Sequence, residues 1–148
     1  MKPLGMTSSA GLFERLEDRS NVIEGHASVE GKVQVIKRSN VRVPAAAGGI
    51  NSNITDVAHW VGMLLNGGKY NGDKRLISER TLKEIWSPQT IIPVNAPGPY
   101  NTHFSAYALG FGVSDVNGYK QVSHTGGLEG MVTQLTMIPE LRLGILVL

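Results

Sequence analysis

The 148-residue sequence contains no cysteine. Disulfide bonds and thiolate metal sites are therefore excluded, while the redox compartment stays undetermined. Long apolar runs are also missing, because none approaches the roughly 20 residues that a membrane-spanning helix needs. Charged residues make up 18% of the chain, its formal net charge is only +2, and its basic residues are scattered. This distribution of charge does not predict a nucleic-acid interface.

Hydrophobic residues make up 41% of the chain, which predicts a globular protein. The length is typical of one domain. Four histidines occur, but none has the paired spacing of a His-Glu-x-x-His zinc site. The glycines at 48 and 49 are not followed by the Lys-Ser/Thr pair of a phosphate-binding loop. We therefore predict no metal and no other cofactor.

Two helices are predicted in the middle of the chain. The first runs from about Asn53, a favourable N-cap residue, to Asn66, and the pair Gly67-Gly68 ends it. Its apolar face carries Ile54, Val57, Ala58, Val61, Leu64 and Leu65. His59 falls on the opposite, polar side and is interpreted as a surface residue. Ser78 caps a second, shorter helix that stops at Ser87-Pro88.

Strands are predicted on both sides of these helices. Residues 22–43 alternate with period two and place Val33 and Val35 on one face, whereas residues 88–104, with four prolines, predict a loop. Alternation from Leu109 onward and the Asn117-Gly118 turn predict three or four antiparallel strands within residues 107–148. The last two strands are apolar on both faces, which is typical of a sheet covered by helices on both sides. The predicted fold class is therefore α+β.

A glycine-rich segment from His124 to Gly130 lies between two predicted strands. Three glycines beside one imidazole allow backbone amides to approach a ligand closely. The alternative interpretation is a plain connection between strands, with His124 as a polar strand-end residue. The segment alone does not decide between the two.

The order of these features resembles the serine β-lactamase and penicillin-binding-protein-like superfamily, especially its class C β-lactamase and esterase-like branch. The resemblance covers nearly all of the chain, and its pieces are specific mainly through their order and spacing. The matching segments are Pro3-Leu4-Gly5-Met6-Thr7, Pro44 with Gly48-Gly49-Ile50 and Ser52, Asp56 to Leu65 with Asn66-Gly67-Gly68, Leu76-Ile77-Ser78, Tyr107-Ala108-Leu109-Gly110-Phe111-Gly112, His124-Thr125-Gly126-Gly127 with Gly130, and Ile138-Pro139-Glu140.

The resemblance implies acyl transfer by a serine hydrolase, in which the serine of a Ser-x-x-Lys motif attacks a carbonyl with help from that lysine and a tyrosine. It implies that His124 takes the place of the family's lysine or histidine facing the cleft. It also implies that Gly127 gives its N–H to the oxyanion hole, so that these two residues are the catalytic ones. Thr125 is expected to bind a substrate carboxylate through its hydroxyl, and Gly126 to allow close approach of the substrate.

The chain departs from the family in one large respect, because it contains neither Ser-x-x-Lys nor Tyr-x-Asn. We therefore interpret residues 1–148 as a partial domain that lacks the upstream nucleophile region and the closing C-terminal helix. On this interpretation the chain alone is inactive. Localisation in the cell envelope or outside the cell is an expectation from the family, since any targeting segment would precede residue 1.

The substrate stays open among a β-lactam, a D-amino-acid peptide and an ester, although histidine in place of lysine favours esterase- or peptidase-like relatives. The sequence predicts a small-molecule or peptide substrate and no nucleic-acid partner, and it leaves the oligomeric state open. A second hypothesis is a non-catalytic α+β binding module, derived from the same fold, that adds a partner strand to an exposed sheet edge.

Overall fold

The structure is a computed structural model that describes residues 1–38, 46–128 and 130–148. The expectations on Arg42, Val43, Pro44 and Glu129 lie outside these residues. The helices and strands, in chain order, are β1 (His26–Val29), β2 (Lys32–Val35), α1 (Ile54–Leu65), β3 (Lys69–Tyr70), β4 (Lys74–Arg75), α2 (Glu79–Ile85), β5 (Thr90–Ile92), β6 (Ser105–Tyr107), β7 (Gly112–Val116), β8 (Tyr119–Leu128), β9 (Met131–Ile138) and β10 (Leu143–Val147).

Both predicted helices are confirmed, together with the residues that cap them. The side-chain oxygen of Asn53 accepts the backbone N–H of Asp56 at 2.9 Å at the start of α1. The hydroxyl of Ser78 accepts the N–H of Thr81 at 2.9 Å at the start of α2. Residues 67 and 68 have φ values of +65° and +87°, the left-handed conformation that glycine adopts without strain.

The main sheet has six strands in the order β10-β9-β8-β7-β6-β5, so each strand lies beside its neighbours in the sequence. The pairs β5–β6, β6–β7, β7–β8 and β9–β10 are antiparallel. Asn117 and Gly118, with φ values of +50° and +85°, form the two-residue turn between Val116 and Tyr119. Positive φ at both positions is what such a hairpin turn requires, and the predicted hairpin is confirmed.

Two predictions about this region were wrong. Residues 88–104 are not all loop, because Thr90–Ile92 forms β5 and pairs with β6. Three residues flanked by prolines are too short to show alternation in a sequence. Leu109 does not begin a strand either: the N–H of Ala108 donates to the carbonyl of Phe111 at 2.7 Å in a turn, and β7 begins only at Gly112. Residues 107–148 contain the four strands β7 to β10, and β5 and β6 enlarge the sheet to six.

The chain divides into two compact units, of which the first comprises residues 1–59, 125–133 and 148. In this unit β1 and β2 form a hairpin in which His26 lies opposite Val35. The N–H of His26 donates to the carbonyl of Gly130 at 3.3 Å. Val33 and Val35 share one face as predicted, but they are 76% and 63% exposed, so this face of the hairpin is not packed.

The first unit also contains a buried carboxylate. Asp56, which is 4% exposed, accepts the backbone N–H of Ser8 at 2.9 Å and the hydroxyl of Ser9 at 2.7 Å. The hydroxyls of Ser9 and Ser52 are 2.6 Å apart. Because the Ser9 proton is given to the carboxylate, the Ser52 hydroxyl is the donor of this second bond. The hydroxyls of Ser9 and Ser52 and the carboxylate of Asp56 thus connect residues 8–9 to the beginning of α1.

The second unit comprises residues 60–124 and 134–147 and holds most of the buried apolar side chains. They are Val61, Met63, Leu64, Leu82, Trp86, Ala106, Ala108, Phe111, Val113, Val122 and Met137. A side chain at Gly144 would meet Val61 at 2.8 Å, so this glycine allows α1 to contact β10. On β10, however, Leu143, Ile145 and Val147 are 45–58% exposed, so the expected cover on both faces of this strand is not seen.

Among the described residues, no helix is both long enough and apolar enough to cross a membrane.

Candidate active site

His124, the residue that the sequence singled out, is exposed on β8 and is hydrogen-bonded to a tyrosine. Its Nε2 lies 3.1 Å from the hydroxyl of Tyr107, the last residue of β6. The two ring centroids are 6.3 Å apart and the ring planes are inclined by 60°. The two side chains meet through their polar atoms, which leaves the ring faces tilted and not stacked.

Tyr107 and His124 lie on strands β6 and β8, which are separated by β7. Tyr107 lies opposite Gly112 of β7, and Gly112 lies opposite Ser123 of β8. Adjacent strands are roughly 4.8 Å apart, so β6 and β8 are separated by about twice that distance. The long tyrosine side chain covers this distance at the end of the sheet where β7 begins, and it reaches His124, the first residue of β8 beyond the pairs with β7.

Ser123 is not a partner of the histidine in the part of the chain that the structure describes. Its hydroxyl lies 3.5 Å from the point where a side chain of Gly112 would begin. Neighbouring residues of a strand point to opposite faces, so Ser123 and His124 do not face each other. The hydrogen bond recorded for the imidazole is the one to Tyr107.

Thr125, Gly126 and Gly127 follow His124 on β8 and belong to the first unit, and their surroundings differ. Thr125 and Gly127 are exposed, whereas Gly126 is partly buried. A side chain at Gly126 would collide with the hydroxyl of Thr133 and lie 3.5 Å from its Cβ. A side chain at Gly127 would meet no described atom within 4 Å. Gly126 thus accommodates a neighbour in the sheet, while Gly127 borders open space.

The pairs of β8 with β7 run from Tyr119 to Ser123 only. The strand itself continues to Leu128, five residues farther. Residues 124–128 therefore extend beyond the first residue of β7, and one edge of this segment has no β7 residue opposite it. A strand edge that lacks a paired neighbour presents backbone N–H and C=O groups.

Two residues of this region were not recognised as site residues from the sequence. Tyr107 is only the first residue of a matching segment in the sequence, and Thr133 carries no local signal of a site. Both contact a residue on another strand, since Tyr107 meets His124 and Thr133 lies beside Gly126. Only the strand order and register bring these pairs together, and neither can be read from local patterns.

A separate cavity of about 370 Å³ lies in the second unit, and neither Tyr107 nor His124 lines it. It is lined by Pro88, Phe104, Val113, Ser114, Asp115, Gly118, Tyr119, Lys120 and Glu140. The ammonium of Lys120 donates to the carbonyl of Trp86 at 2.8 Å. Burial lowers the pKa of Lys120, and the nearby Glu140 carboxylate partly opposes this shift.

Within residues 1–38, 46–128 and 130–148, no three His, Asp or Glu side chains are grouped so that they could hold a metal ion.

Comparisons with known proteins agree on one family. The family model described as "Beta-lactamase" matches residues 1–148. The unguisins hydrolase ungD′ of Aspergillus campestris is 33% identical over 147 residues, which cover 95% of this chain and 25% of that protein. The unguisins hydrolase ungD of Aspergillus violaceofuscus is 28% identical over 109 residues, which cover 68% of this chain and 19% of that protein.

Among solved structures, the octameric penicillin-binding protein homologue from Pyrococcus abyssi superposes with a TM-score of 0.78 at 21% sequence identity. The match covers 98% of this chain and 30% of that one. This likeness shows the fold, a partial α+β arrangement of the penicillin-binding-protein type. The chain thus spans between about a fifth and a third of the length of each relative.

Proposed function

The chain belongs to the beta-lactamase family, and from this premise we propose that it supplies the His-Thr-Gly wall of a serine hydrolase active site. In this proposal His124 takes part in proton transfer, and Gly127 donates its backbone N–H to the oxyanion that forms during acyl transfer. Thr125 offers its hydroxyl to a substrate carboxylate or carbonyl. Gly126 keeps this part of β8 narrow enough for the substrate to approach.

The observation that carries the proposal is the exposure of β8 beyond its pairs with β7. His124, Thr125 and Gly127 are exposed, and open space borders Gly127. An oxyanion hole needs an N–H group that can point at the substrate and not only at a neighbouring strand. A strand edge without β7 residues opposite it supports this assignment.

The nucleophile in this proposal comes from polypeptide outside these 148 residues. The chain has no Ser-x-x-Lys and no Tyr-x-Asn motif, and it matches only 25% of the length of ungD′. Acyl transfer of this kind needs a serine whose proton is removed by an adjacent base. Residues 1–148 are therefore one part of a catalytic domain and have no turnover of their own.

The substrate class that we favour is an amide or ester, with a peptide-like amide first. Two similar proteins are named as hydrolases of unguisins, which supports a hydrolytic role. A histidine at position 124 is neutral or positively charged near physiological pH, so it can donate to a carbonyl or carboxylate oxygen. β-Lactams remain a third substrate class for the test.

The test compares the 148-residue chain with a longer polypeptide from the same reading frame that carries an upstream Ser-x-x-Lys motif. Both are incubated with a chromogenic cephalosporin, a nitrophenyl ester and a D-amino-acid peptide amide. The proposal expects turnover of at least one substrate by the longer polypeptide and none by the shorter chain. The serine-to-alanine variant of the longer polypeptide is the control for the nucleophile.

Two outcomes would contradict the proposal. Turnover by the 148-residue chain would require a nucleophile within it. A longer polypeptide that contains Ser-x-x-Lys, binds these substrates and turns over none of them would instead favour the non-catalytic binding module. His124→Ala in an active longer polypeptide should lower kcat/KM by about 10²–10⁴-fold, the usual contribution of a group that transfers a proton.

A further inference from the structure

The bond between Tyr107 and His124 specifies which nitrogen of the imidazole can meet a substrate. We propose that Tyr107 is a positioning residue: its hydroxyl holds Nε2 of His124 and leaves Nδ1–H as the donor toward the substrate. The role of Nδ1 toward a substrate rests on the proposed function. The hydrogen bond and the tautomer that it selects do not depend on that function.

The geometry places the two groups within hydrogen-bonding range, since the oxygen and Nε2 are 3.1 Å apart. A neutral imidazole has one nitrogen that donates and one that accepts. Of the two possible directions, the phenolic O–H is the stronger donor, and the unprotonated ring nitrogen is the stronger acceptor. The hydroxyl of Tyr107 therefore donates to Nε2, and the ring proton lies on Nδ1.

The same contact serves both charge states of the histidine. When the imidazole is protonated, Nε2 becomes a donor and the phenolic oxygen accepts from it. The ring thus keeps one anchored nitrogen while its charge changes. An aspartate in place of Tyr107 would not serve both charge states equally, because its negative charge would favour the protonated imidazole.

The sheet fixes the position of the hydroxyl. Tyr107 ends β6 opposite Gly112, the first residue of β7, and its hydroxyl meets His124 just beyond the pairs of β8 with β7. Tyr107 is 43% exposed, and replacing it by phenylalanine removes only the hydroxyl. The Tyr107→Phe variant therefore tests the hydrogen bond without removing a buried group.

The experiment is nitrogen-detected NMR of the histidine rings in the full 148-residue chain, at a pH at which the imidazole is neutral. The ring signals of His124 are assigned with the His124→Gln variant. We expect a protonated Nδ1 and an unprotonated Nε2 in the wild type. In Tyr107→Phe, the proton should shift to a mixture in which Nε2–H predominates. Tyr119→Phe, an exposed tyrosine on β8, is the matched control and should leave the His124 signals unchanged.

A second measurement uses the rate at which diethyl pyrocarbonate modifies each histidine, read by mass spectrometry. His59 is exposed and serves as the reference within the same chain. Removal of the Tyr107 hydroxyl should raise the rate at His124 severalfold while that at His59 stays constant. A wild-type His124 protonated on Nε2, or equal tautomer ratios in wild type and Tyr107→Phe, would overturn the inference. Neither readout needs turnover, so failure of the proposed function leaves this test intact.

Discussion

The hydroxyl of Ser9 donates to the carboxylate of Asp56 at 2.7 Å, although 47 residues separate them in the sequence. The carboxylate is buried and also accepts the backbone N–H of Ser8. Its own N–H is held by Asn53, so Asp56 is part of the start of α1 as well. One side chain therefore joins the N-terminal segment to the first turn of the helix.

Asp56→Ala should destabilise the chain by about 2–3 kcal/mol, because two donors lose a charged acceptor in a buried place. Urea unfolding followed by circular dichroism measures this difference. Asp73→Ala is the control: its carboxylate is fully exposed and, among the described residues, forms an ion pair with the half-buried Lys69, so a change within about 0.5 kcal/mol is expected. Equal losses in the two variants would show that the Ser8 and Ser9 contacts contribute nothing.

Two adjacent glycines on β8 should respond differently to the same substitution. Gly126→Ala places a methyl group against the hydroxyl of Thr133, and we expect a loss of about 1–3 kcal/mol from overpacking. Gly127→Ala meets no described atom within 4 Å and should change the free energy of unfolding far less. The double variant Gly126→Ala/Thr133→Ala should recover most of the loss. A loss at Gly127 as large as that at Gly126 would contradict this account of the strand.

Asp115 should make part of the stability dependent on acid pH. Its carboxylate accepts the N–H groups of Phe104 at 2.7 Å and His103 at 2.9 Å. These bonds, that of Phe104 first, lower the pKa of Asp115 below its usual 3.8. The unfolded chain therefore binds the proton more readily, so the stabilisation is present above the unfolded pKa and is lost as pH falls through the folded one.

Asp115→Asn removes this charge and keeps one side-chain oxygen. The difference in unfolding free energy between wild type and variant should be constant above about pH 5 and should shrink below about pH 4. Urea titrations across that range measure it, with Asp73→Asn as the exposed control. A difference that stays the same down to the acid end would mean that Asp115 does not prefer the charged form in the folded chain.

The oxyanion donor can be tested in an active longer polypeptide. Gly127→Pro removes the N–H at that position, and we expect kcat to fall by about 10²–10³-fold, the usual loss for one oxyanion-hole donor. Gly127→Ala keeps the N–H and is the matched control. Comparable losses in both variants would point to distortion of β8 and not to a missing donor.

Local patterns predicted those parts of the fold that short stretches of chain determine. Ser78 caps α2, and Asn117-Gly118 forms the turn of the β7–β8 hairpin. Both features could be predicted because each depends on residues within three positions of one another. The family resemblance and the α+β class followed from the order of such segments. The short strand β5 was missed because three residues between prolines are too few to show alternation, and its pairing with β6 is visible only in the fold.

The residues of the candidate site also divide into those that local patterns predict and those that only the fold brings together. His124 and the glycines after it could be selected from the sequence, because their residue types are informative by themselves. The Tyr107 partner could not be selected, because it depends on the register of three strands. Asp56 is only the first residue of a matching segment in the sequence, and its bonds to residues 8–9 became visible only in the folded chain. The assignments of Thr125, Gly126 and Gly127 to substrate and oxyanion remain predictions.

The order of the six strands has a consequence for how the sheet forms. Every strand from β5 to β10 lies beside the strand that precedes or follows it in the chain. Pairings between near neighbours in sequence close short loops, which costs little chain entropy and favours rapid folding. The β7–β8 hairpin, with its two-residue turn, is the best nucleus for this process. Further strands can then pair one at a time on both sides of this hairpin. Each of them pairs with a strand that is its neighbour in the sequence, so the sheet can form while the ribosome is still releasing the chain.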